Sequence, residues 1–240
     1  MEKVIIVIPA YNEDENIVRL SKSLHKFLPQ SLVYIVDDTQ DTEIGKSFIK
    51  NRKVNYFLRK GKRGRGSAVL FGLKKSLKKK NCKIFIEMDA DFSHDPKEIK
   101  KNLKIFKKKK LDLLISSRYL KESKISNWSL SRRIFSLMAN FLAKLLLNLG
   151  VSDYTNGFRI YSRKSVELIT KKCGNIGDGF IVLSEILLII KIFNLKISEV
   201  PSIFVNRKRG ESSVNFKLII QSFLGLIKLY FIKKNLNKKL

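Results

Sequence analysis

The first half of the chain alternates short, wholly apolar runs with amphipathic stretches. Val4–Ile8 is apolar at nearly every position, as expected of a strand covered on both faces. Asn16–Phe27 follows with Ile17, Leu20, Leu24 and Phe27 on one helical face. Leu32–Val36, Val54–Leu58, Ile84–Met88 and Leu111–Ser116 read as further strands. Helices are expected over Ser67–Lys78 and Pro96–Lys107, the latter with proline in its first turn. Strand and helix in alternation predict an α/β fold built on a mostly parallel sheet with right-handed crossovers. Such sheets take their ligands beyond the carboxyl ends of the strands.

The second half is patterned differently. Ile134–Leu149 is almost entirely apolar, yet Ser136, Asn140, Lys144 and Asn148 recur every four residues and draw a narrow polar stripe along a helix. Phe180–Phe193 is another apolar helix, interrupted by Glu185 and Lys191. Phe216–Ile232 places Phe216, Ile219, Ile220, Phe223, Ile227, Tyr230 and Phe231 at helical spacing and ends in Lys233-Lys234. A membrane-crossing helix needs about 20 apolar residues, and charges interrupt all three segments. Lysine-flanked helices of this kind lie in a membrane interface or pack on one another and on the sheet. The expected organisation is one α/β unit over residues 1–210 and a basic amphipathic helix over 211–240, the latter at a membrane surface. The one long polar connection is Arg118–Ser131, expected to be mobile.

Composition adds a formal charge of +28 over 240 residues. Solvated lysine faces account for part of it. An anionic membrane surface or a phosphorylated substrate are the partners it favours. Basic residues interleaved with stacking aromatics are not seen, so nucleic acid is not expected. Cys82 and Cys173 make no metal or redox spacing, which fits a reducing compartment. Met1-Glu2-Lys3 leads directly into a strand, so no secretory leader is expected; the amphipathic helices and positive charge give the expectation of a peripheral protein at the cytoplasmic face of a membrane.

The candidate chemistry sits at the strand ends. Ile86-Glu87-Met88-Asp89-Ala90-Asp91 runs from a buried strand into an Asp-x-Asp pair. In an extended segment Asp89 and Asp91 share one side, where like charges are costly unless a cation joins them. Hard ions such as Mg²⁺ or Mn²⁺ take oxygen ligands of this kind together with a diphosphate. An acidic turn capping a strand is the plainer reading. Glu13, Asp37 and Asp38 also follow strands, so the carboxylates are expected to gather at one edge.

These blocks together resemble the family 2 glycosyltransferases, and within them the dolichol-phosphate mannose synthases. The resemblance rests on Pro9-Ala10-Tyr11-Asn12-Glu13, Val36-Asp37-Asp38, Gly64-Arg65-Gly66-Ser67-Ala68 with Gly72, Met88-Asp89-Ala90-Asp91-Phe92-Ser93-His94-Asp95-Pro96 and Ser117-Arg118-Tyr119. It continues through Trp128-Ser129-Leu130-Ser131-Arg132, Ala139-Asn140, Asp153-Tyr154-Thr155-Asn156-Gly157-Phe158-Arg159, Glu199-Val200-Pro201 and Phe204-Val205-Asn206-Arg207, over nearly the whole chain. It implies a GT-A (Rossmann-like) fold, a GDP-mannose donor, a divalent metal and a polyprenyl or dolichyl phosphate acceptor. By resemblance, Pro9, Ala10, Tyr11, Glu13, Val36 and Asp38 hold the nucleoside. Asp89, Ala90 and Asp91 meet the diphosphate, with Asp89, Asp91 and Ser93 around the metal. Arg118 and Arg132 take the acceptor phosphate, and Arg207 a donor phosphate. Asp89, Asp91 and Arg118 are the expected catalytic set. Arginine forks suit phosphate oxygens. A phosphate acceptor is already ionised and needs no general base, which predicts direct attack with inversion at the sugar. A sugar hydroxyl would need one, and Asp153 is the candidate.

The chain departs from that pattern in places. Thr39-Gln40-Asp41-Thr42 lacks the usual Pro and Gly; Arg65 replaces an apolar residue; Leu183 stands where Gln is common, and Ser213 where Lys is expected. Donor identity is thereby open, and a UDP-sugar such as UDP-glucose is the alternative. The second class of function kept in view is a non-catalytic basic membrane binder. Without added membrane-spanning helices, the enzyme is expected to use its own amphipathic helices or a membrane-embedded partner subunit. Smaller expectations are Arg159 as a partner of Asp153, His94 orienting its loop, His25 at the surface, and Arg133 as a substitute for Arg132.

Overall fold

The computed structural model describes residues 3–40, 42–61, 64–206 and 216–237. β1 (Val4–Ala10), β2 (Leu32–Asp37), β3 (Val54–Leu58), β4 (Ile84–Glu87), β5 (Leu113–Ser117), β7 (Arg159–Ser162) and β8 (Ile197–Pro201) form a seven-stranded sheet in the order β3-β2-β1-β4-β7-β5-β8. Every pairing is parallel except those of β7, which runs antiparallel to both β4 and β5. β6 (Lys124–Ser126) and β9 (Ile203–Val205) pair in a small second sheet.

The apolar run of β1 is explained by its central place. Ile5 and Val7 enter one core, and Val4, Ile6 and Ile8 enter another on the opposite face. The second core is closed by α1 (Asp14–Phe27) through Ile17, Leu20 and Leu24, and by α3 (Glu98–Lys108) through Ile99, Leu103 and Phe106. The first is closed by α2 (Arg65–Ser76), α4 (Leu130–Leu147), α5 (Arg163–Lys172), α6 (Ile181–Ile192) and α7 (Phe216–Asn237). A one-residue slip of β1 would exchange these two sets. Truncating fully buried Ile6 to alanine would cost about 2–5 kcal/mol.

The strands expected from sequence appear with ends moved by one or two residues. Pro96 sits in the turn before α3, which begins at Glu98, with Asp95 Oδ1 accepting from the Lys97 N–H at 2.9 Å. β6 interrupts the connection expected to be mobile, and α4 starts earlier than its apolar pattern suggested. Ser129 caps α4 by accepting from the Arg132 N–H, and Asn148, in the left-handed region at φ 40°, ends it. β7, α5, β8 and β9 were not foreseen; short strands such as β9 carry too few positions for a period to show.

The first half of the polar stripe on α4, Ser136 and Asn140, turns inward, while Lys144 and Asn148 are exposed. Ser136 Oγ lies 2.7 Å from Tyr119 Oη, and Asn140 Oδ1 accepts from the Tyr154 N–H at 2.8 Å. The apolar remainder faces out: Leu130, Met138, Phe141 and Leu145 are all more than half exposed. On α7, Leu226 and Leu229 are buried while Phe223, Leu224 and Phe231 are exposed. Among the described residues no helix is long and apolar enough to cross a membrane.

Candidate active site

Parallel pairing brings the carboxyl ends of β1, β2 and β4 to one edge, and the antiparallel β4–β7 pairing carries the segment before Arg159 to the same edge. At the end of β1, Asn12 takes a left-handed conformation at φ 55°, and its N–H donates to Thr39 Oγ1 at 2.7 Å. Thr39 in turn donates from both its N–H (2.8 Å) and its hydroxyl (2.5 Å) to Asp37 Oδ1. Thr39, one of the residues that departs from the synthase pattern, thus ties the ends of β1 and β2 together. Asp37 Oδ2 accepts from the Tyr56 hydroxyl at 2.9 Å.

Asp38 lies beside a cation that sequence reasoning passed over. Arg59 forks onto it, Nε to Oδ1 at 2.7 Å and Nη2 to Oδ2 at 2.6 Å, and the Gly64 N–H donates to Oδ2 at 3.1 Å. Glu13 accepts from Asn16 Nδ2 at 2.5 Å and, with Tyr11, is partly exposed at the mouth of this edge. Pro9 and Ala10 are buried in β1, and Val36 is fully buried with Cγ2 close to Gly72. The Val36 side chain belongs to the core rather than to the surface a nucleoside would meet, because a parallel strand flanked on both sides buries its side chains on both faces.

The Asp-x-Asp pair lies past the end of β4 in a turn rather than in an extended segment. Phe92, left-handed at φ 58°, closes that turn, and Asp91 Oδ1 accepts from the Ser93 N–H at 3.0 Å. Asp89 is held by Arg65, whose Nε and Nη2 donate to Oδ1 at 2.8 and 2.6 Å. Arg65 Nη1 donates to Glu87 Oε1 at 2.6 Å, and Glu87 Oε2 accepts from the Tyr161 hydroxyl at 2.6 Å. His94 is fully buried between Phe158 and Phe204, with Nε2 3.5 Å from Asp89 Oδ2. Burial by itself would push the Asp89 carboxyl up, but Arg65 and then His94 outweigh it and hold it below the usual carboxylate range. Asp89 is therefore an anion at neutral pH. The chemistry of two adjacent carboxylates on a turn suits a hard divalent ion. Ser93 Oγ, buried without a hydrogen-bond partner, adds a third oxygen to the same turn. Among the described residues no cluster of three or more His, Cys, Asp or Glu has metal-binding geometry.

At the end of β5, Arg118 is buried against Asp153. Its own N–H and Nε both donate to Oδ2, at 3.0 and 2.8 Å, and Nη2 donates to Oδ1 at 2.8 Å. Nη2 also reaches Thr155 Oγ1 at 2.7 Å. Burial would raise the Asp153 carboxyl, yet the Arg118 guanidinium and the backbone donors hold it below the usual range. Arg118 is consequently no loose surface charge, and Asp153 is a poor proton acceptor. Arg159 is not its partner. The Arg159 guanidinium donates instead to the carbonyls of Asn156, Leu183 and Tyr154, fixing the loop before β7. Arg132 and Arg118 converge on one indole, with their guanidinium carbons 4.6 and 5.6 Å from the Trp128 ring centroid. Arg132 Nη1 donates to Asn206 Oδ1 at 2.6 Å, whereas Arg133 reaches the Ile125 carbonyl. Arg207 and Ser213 lie outside the described residues. Sequence reasoning overlooked Arg59 and gave Glu87 no role; the available signal was a glutamate inside an apolar strand, which requires a buried partner.

The glycosyl transferase family 2 model matches residues 5–170. The chain belongs to this family and is a glycosyltransferase. Among curated proteins it is 29% identical over 219 residues to the polyprenol monophosphomannose synthase of Mycolicibacterium smegmatis, covering 89% of this chain and 82% of the relative. It is 28% identical over 229 residues to the undecaprenyl-phosphate mannosyltransferase of Micrococcus luteus, covering 93% and 92%. Among solved structures, glucosyl-3-phosphoglycerate synthase from Mycobacterium tuberculosis, crystallised with Mn²⁺, UDP and glucosyl-3-phosphoglycerate, superposes with a TM-score of 0.67. That match covers 97% of this chain and 80% of the other at 16% identity, and supports the GT-A fold expected from sequence.

Proposed function

We propose that this glycosyltransferase moves mannose from GDP-mannose to a polyprenyl or dolichyl phosphate, with inversion, at a membrane surface. The coarser part, sugar transfer to a polyprenyl phosphate, is supported by both curated relatives, whose names specify that acceptor class and which align over most of their length. The observation that carries the reading in this chain is the convergence of Arg118 and Arg132 on Trp128 at the foot of α4, a helix whose apolar face is exposed. A phosphate drawn to these two guanidinium charges would leave its prenyl tail beside apolar side chains.

In this reading Pro9, Ala10, Tyr11, Glu13, Val36 and Asp38 border the nucleoside through backbone or side chain, and Arg207 meets a donor phosphate. Asp89, Ala90, Asp91 and Ser93 surround a divalent ion, Mg²⁺ or Mn²⁺, which when bound would neutralise the departing diphosphate. Arg118 and Arg132 position the acceptor phosphate, whose ionised oxygen attacks the anomeric carbon from the side opposite the leaving group. The Asp153–Arg118 pairing supports an acceptor that brings its own charge, since Asp153 is held deprotonated and already engaged. Residues 1–210 act as the catalytic unit. Residues 211–240 act with α4 at the cytoplasmic membrane face, alone or with a membrane-embedded partner subunit. The opposing class, a non-catalytic membrane binder, would have no need of the acidic turn.

The test is transfer of labelled mannose from GDP-mannose to undecaprenyl or dolichyl phosphate with Mg²⁺ or Mn²⁺, beside Asp91→Ala. Metal-dependent label in the lipid fraction, absent from the variant, is the expected result. Label from UDP-glucose and none from GDP-mannose would overturn the donor assignment and keep the acceptor; no transfer from either would overturn both.

A further inference from the structure

Arg65 opens α2 at a position where the glycine motif favours an apolar side chain, and its guanidinium lies inside the acidic turn. It bridges two carboxylates: Glu87, fully buried and otherwise bonded to Tyr161, and Asp89. Space for it exists because residue 157 is glycine; a Cβ there would collide with Arg65 Nη2 and lie 3.2 Å from Asp89 Oδ1. The Phe180 ring, 5.7 Å from the guanidinium carbon, covers the same group. Arg65 is thus a built-in monovalent cation, seated on one oxygen of a carboxylate that the proposed function gives to a divalent ion.

A metal approaching Asp89 alone meets a fixed positive charge across the carboxylate and only one oxygen without an arginine donor. A diphosphate arriving with the metal changes that balance, because it supplies further oxygens and negative charge next to both cations. We propose that Arg65 makes divalent-metal loading conditional on the nucleoside diphosphate: the metal alone binds weakly, and metal and nucleotide strengthen each other. Arg65 acts here as a positioning residue, working through Asp89. The inference rests on reading Asp89 and Asp91 as the metal site, but not on which sugar or acceptor is used.

The experiment titrates Mn²⁺ into the full chain, following free Mn²⁺ by electron paramagnetic resonance, with and without saturating GDP or UDP. Arg65→Met would leave Glu87 buried beside Tyr161 alone, so the informative variant is the double Arg65→Met/Glu87→Gln, which removes both halves of the pair. Gly157→Ala with Glu87→Gln is the second variant, since the added methyl expels the guanidinium while residue 87 is left uncharged. Thermal melts accompany each. The wild type is expected to bind Mn²⁺ weakly alone and about tenfold or more tightly with nucleotide. Both variants are expected to bind Mn²⁺ alone about tenfold more tightly than wild type, with the gain from nucleotide reduced by the same factor. Unchanged or weaker Mn²⁺ affinity in both folded variants overturns the proposal. So does the absence of Mn²⁺ binding to wild type under every condition, which also removes the metal-site reading. Failure of mannosyl transfer with the Mn²⁺ coupling intact overturns the donor and acceptor assignment alone.

Discussion

Asp153→Asn separates a structural ion pair from a catalytic base. Asp153 is fully buried and accepts three hydrogen bonds from Arg118, together with the N–H groups of Thr155 (3.1 Å) and Asn156 (3.0 Å). An asparagine of the same shape leaves the Arg118 guanidinium buried without its counter-charge. Breaking such a pair costs about 3–5 kcal/mol. For a chain of this length that corresponds to a fall in melting temperature of about 6–20 °C. Urea unfolding at neutral pH measures the loss directly. Arg118→Met on the same background removes the stranded charge and is expected to return at least half of it. Because the Asp153 carboxyl is held below its ordinary 3.8, the pair stabilises the fold fully above that value and loses its effect as acid protonates the folded state. The wild type should therefore lose its advantage over Asp153→Asn as pH falls through and below about 4. A loss under about 1 kcal/mol, or a double variant no more stable than the single, would refute the reasoning. An intact melt with abolished turnover would instead make Asp153 a base and the acceptor a hydroxyl.

Three further outcomes are expected. Asp91→Ala should lower transfer at least about 10²-fold while shifting the melt little, since Asp91 sits on a partly exposed turn; comparable loss of stability and activity would contradict this. Phe141→Glu with Leu145→Glu, on the exposed face of α4, should weaken sedimentation with anionic vesicles and leave binding of GDP unchanged; undiminished vesicle binding would move the membrane contact elsewhere. Glu185, buried in α6 and accepting from the Gly174 N–H at 2.8 Å, is pushed up by desolvation, so its ionisation destabilises the fold as pH rises above its unfolded value near 4.5. Glu185→Gln should gain on wild type in urea unfolding as pH rises above about 4.5, and a flat difference would show that the N–H groups of Gly174 and Asn175 fully compensate the charge.

Much of the frame was legible because its signals are local. A strand buried on both faces has to be apolar throughout, as β1 is, and an amphipathic helix such as α1 must repeat its apolar positions near every third or fourth residue. The acidic groups were placed at one edge by topology alone. What escaped was set by partners distant in sequence. Arg59 meets Asp38 across 21 residues, Arg65 meets Glu87 across 22, and Arg118 meets Asp153 across 35. No periodicity records such pairs. β7 escaped for a related reason: it reverses direction between two parallel strands, so the alternation of strand and helix that announces its neighbours does not announce it.

The orientation of α4 shows where pattern reading inverts. Four polar residues on an otherwise apolar helix would ordinarily mark the solvent side. Here Ser136 and Asn140 are needed inside, to join Tyr119, Thr155 and the Tyr154 N–H around the Arg118–Asp153 pair. Turning those groups inward obliges Phe141, Leu145 and Met138 to face out. The same rotation of one helix therefore satisfies a buried polar network and creates an apolar surface next to two arginines. An acceptor with an anionic head and a hydrocarbon tail asks for both at once. That coupling gives a double test: an Asn140→Leu variant, which removes the inward polar group, should disturb the Arg118 network and weaken transfer even though it makes the helix more apolar. Better vesicle binding with undiminished transfer in that variant would break the link between the two faces.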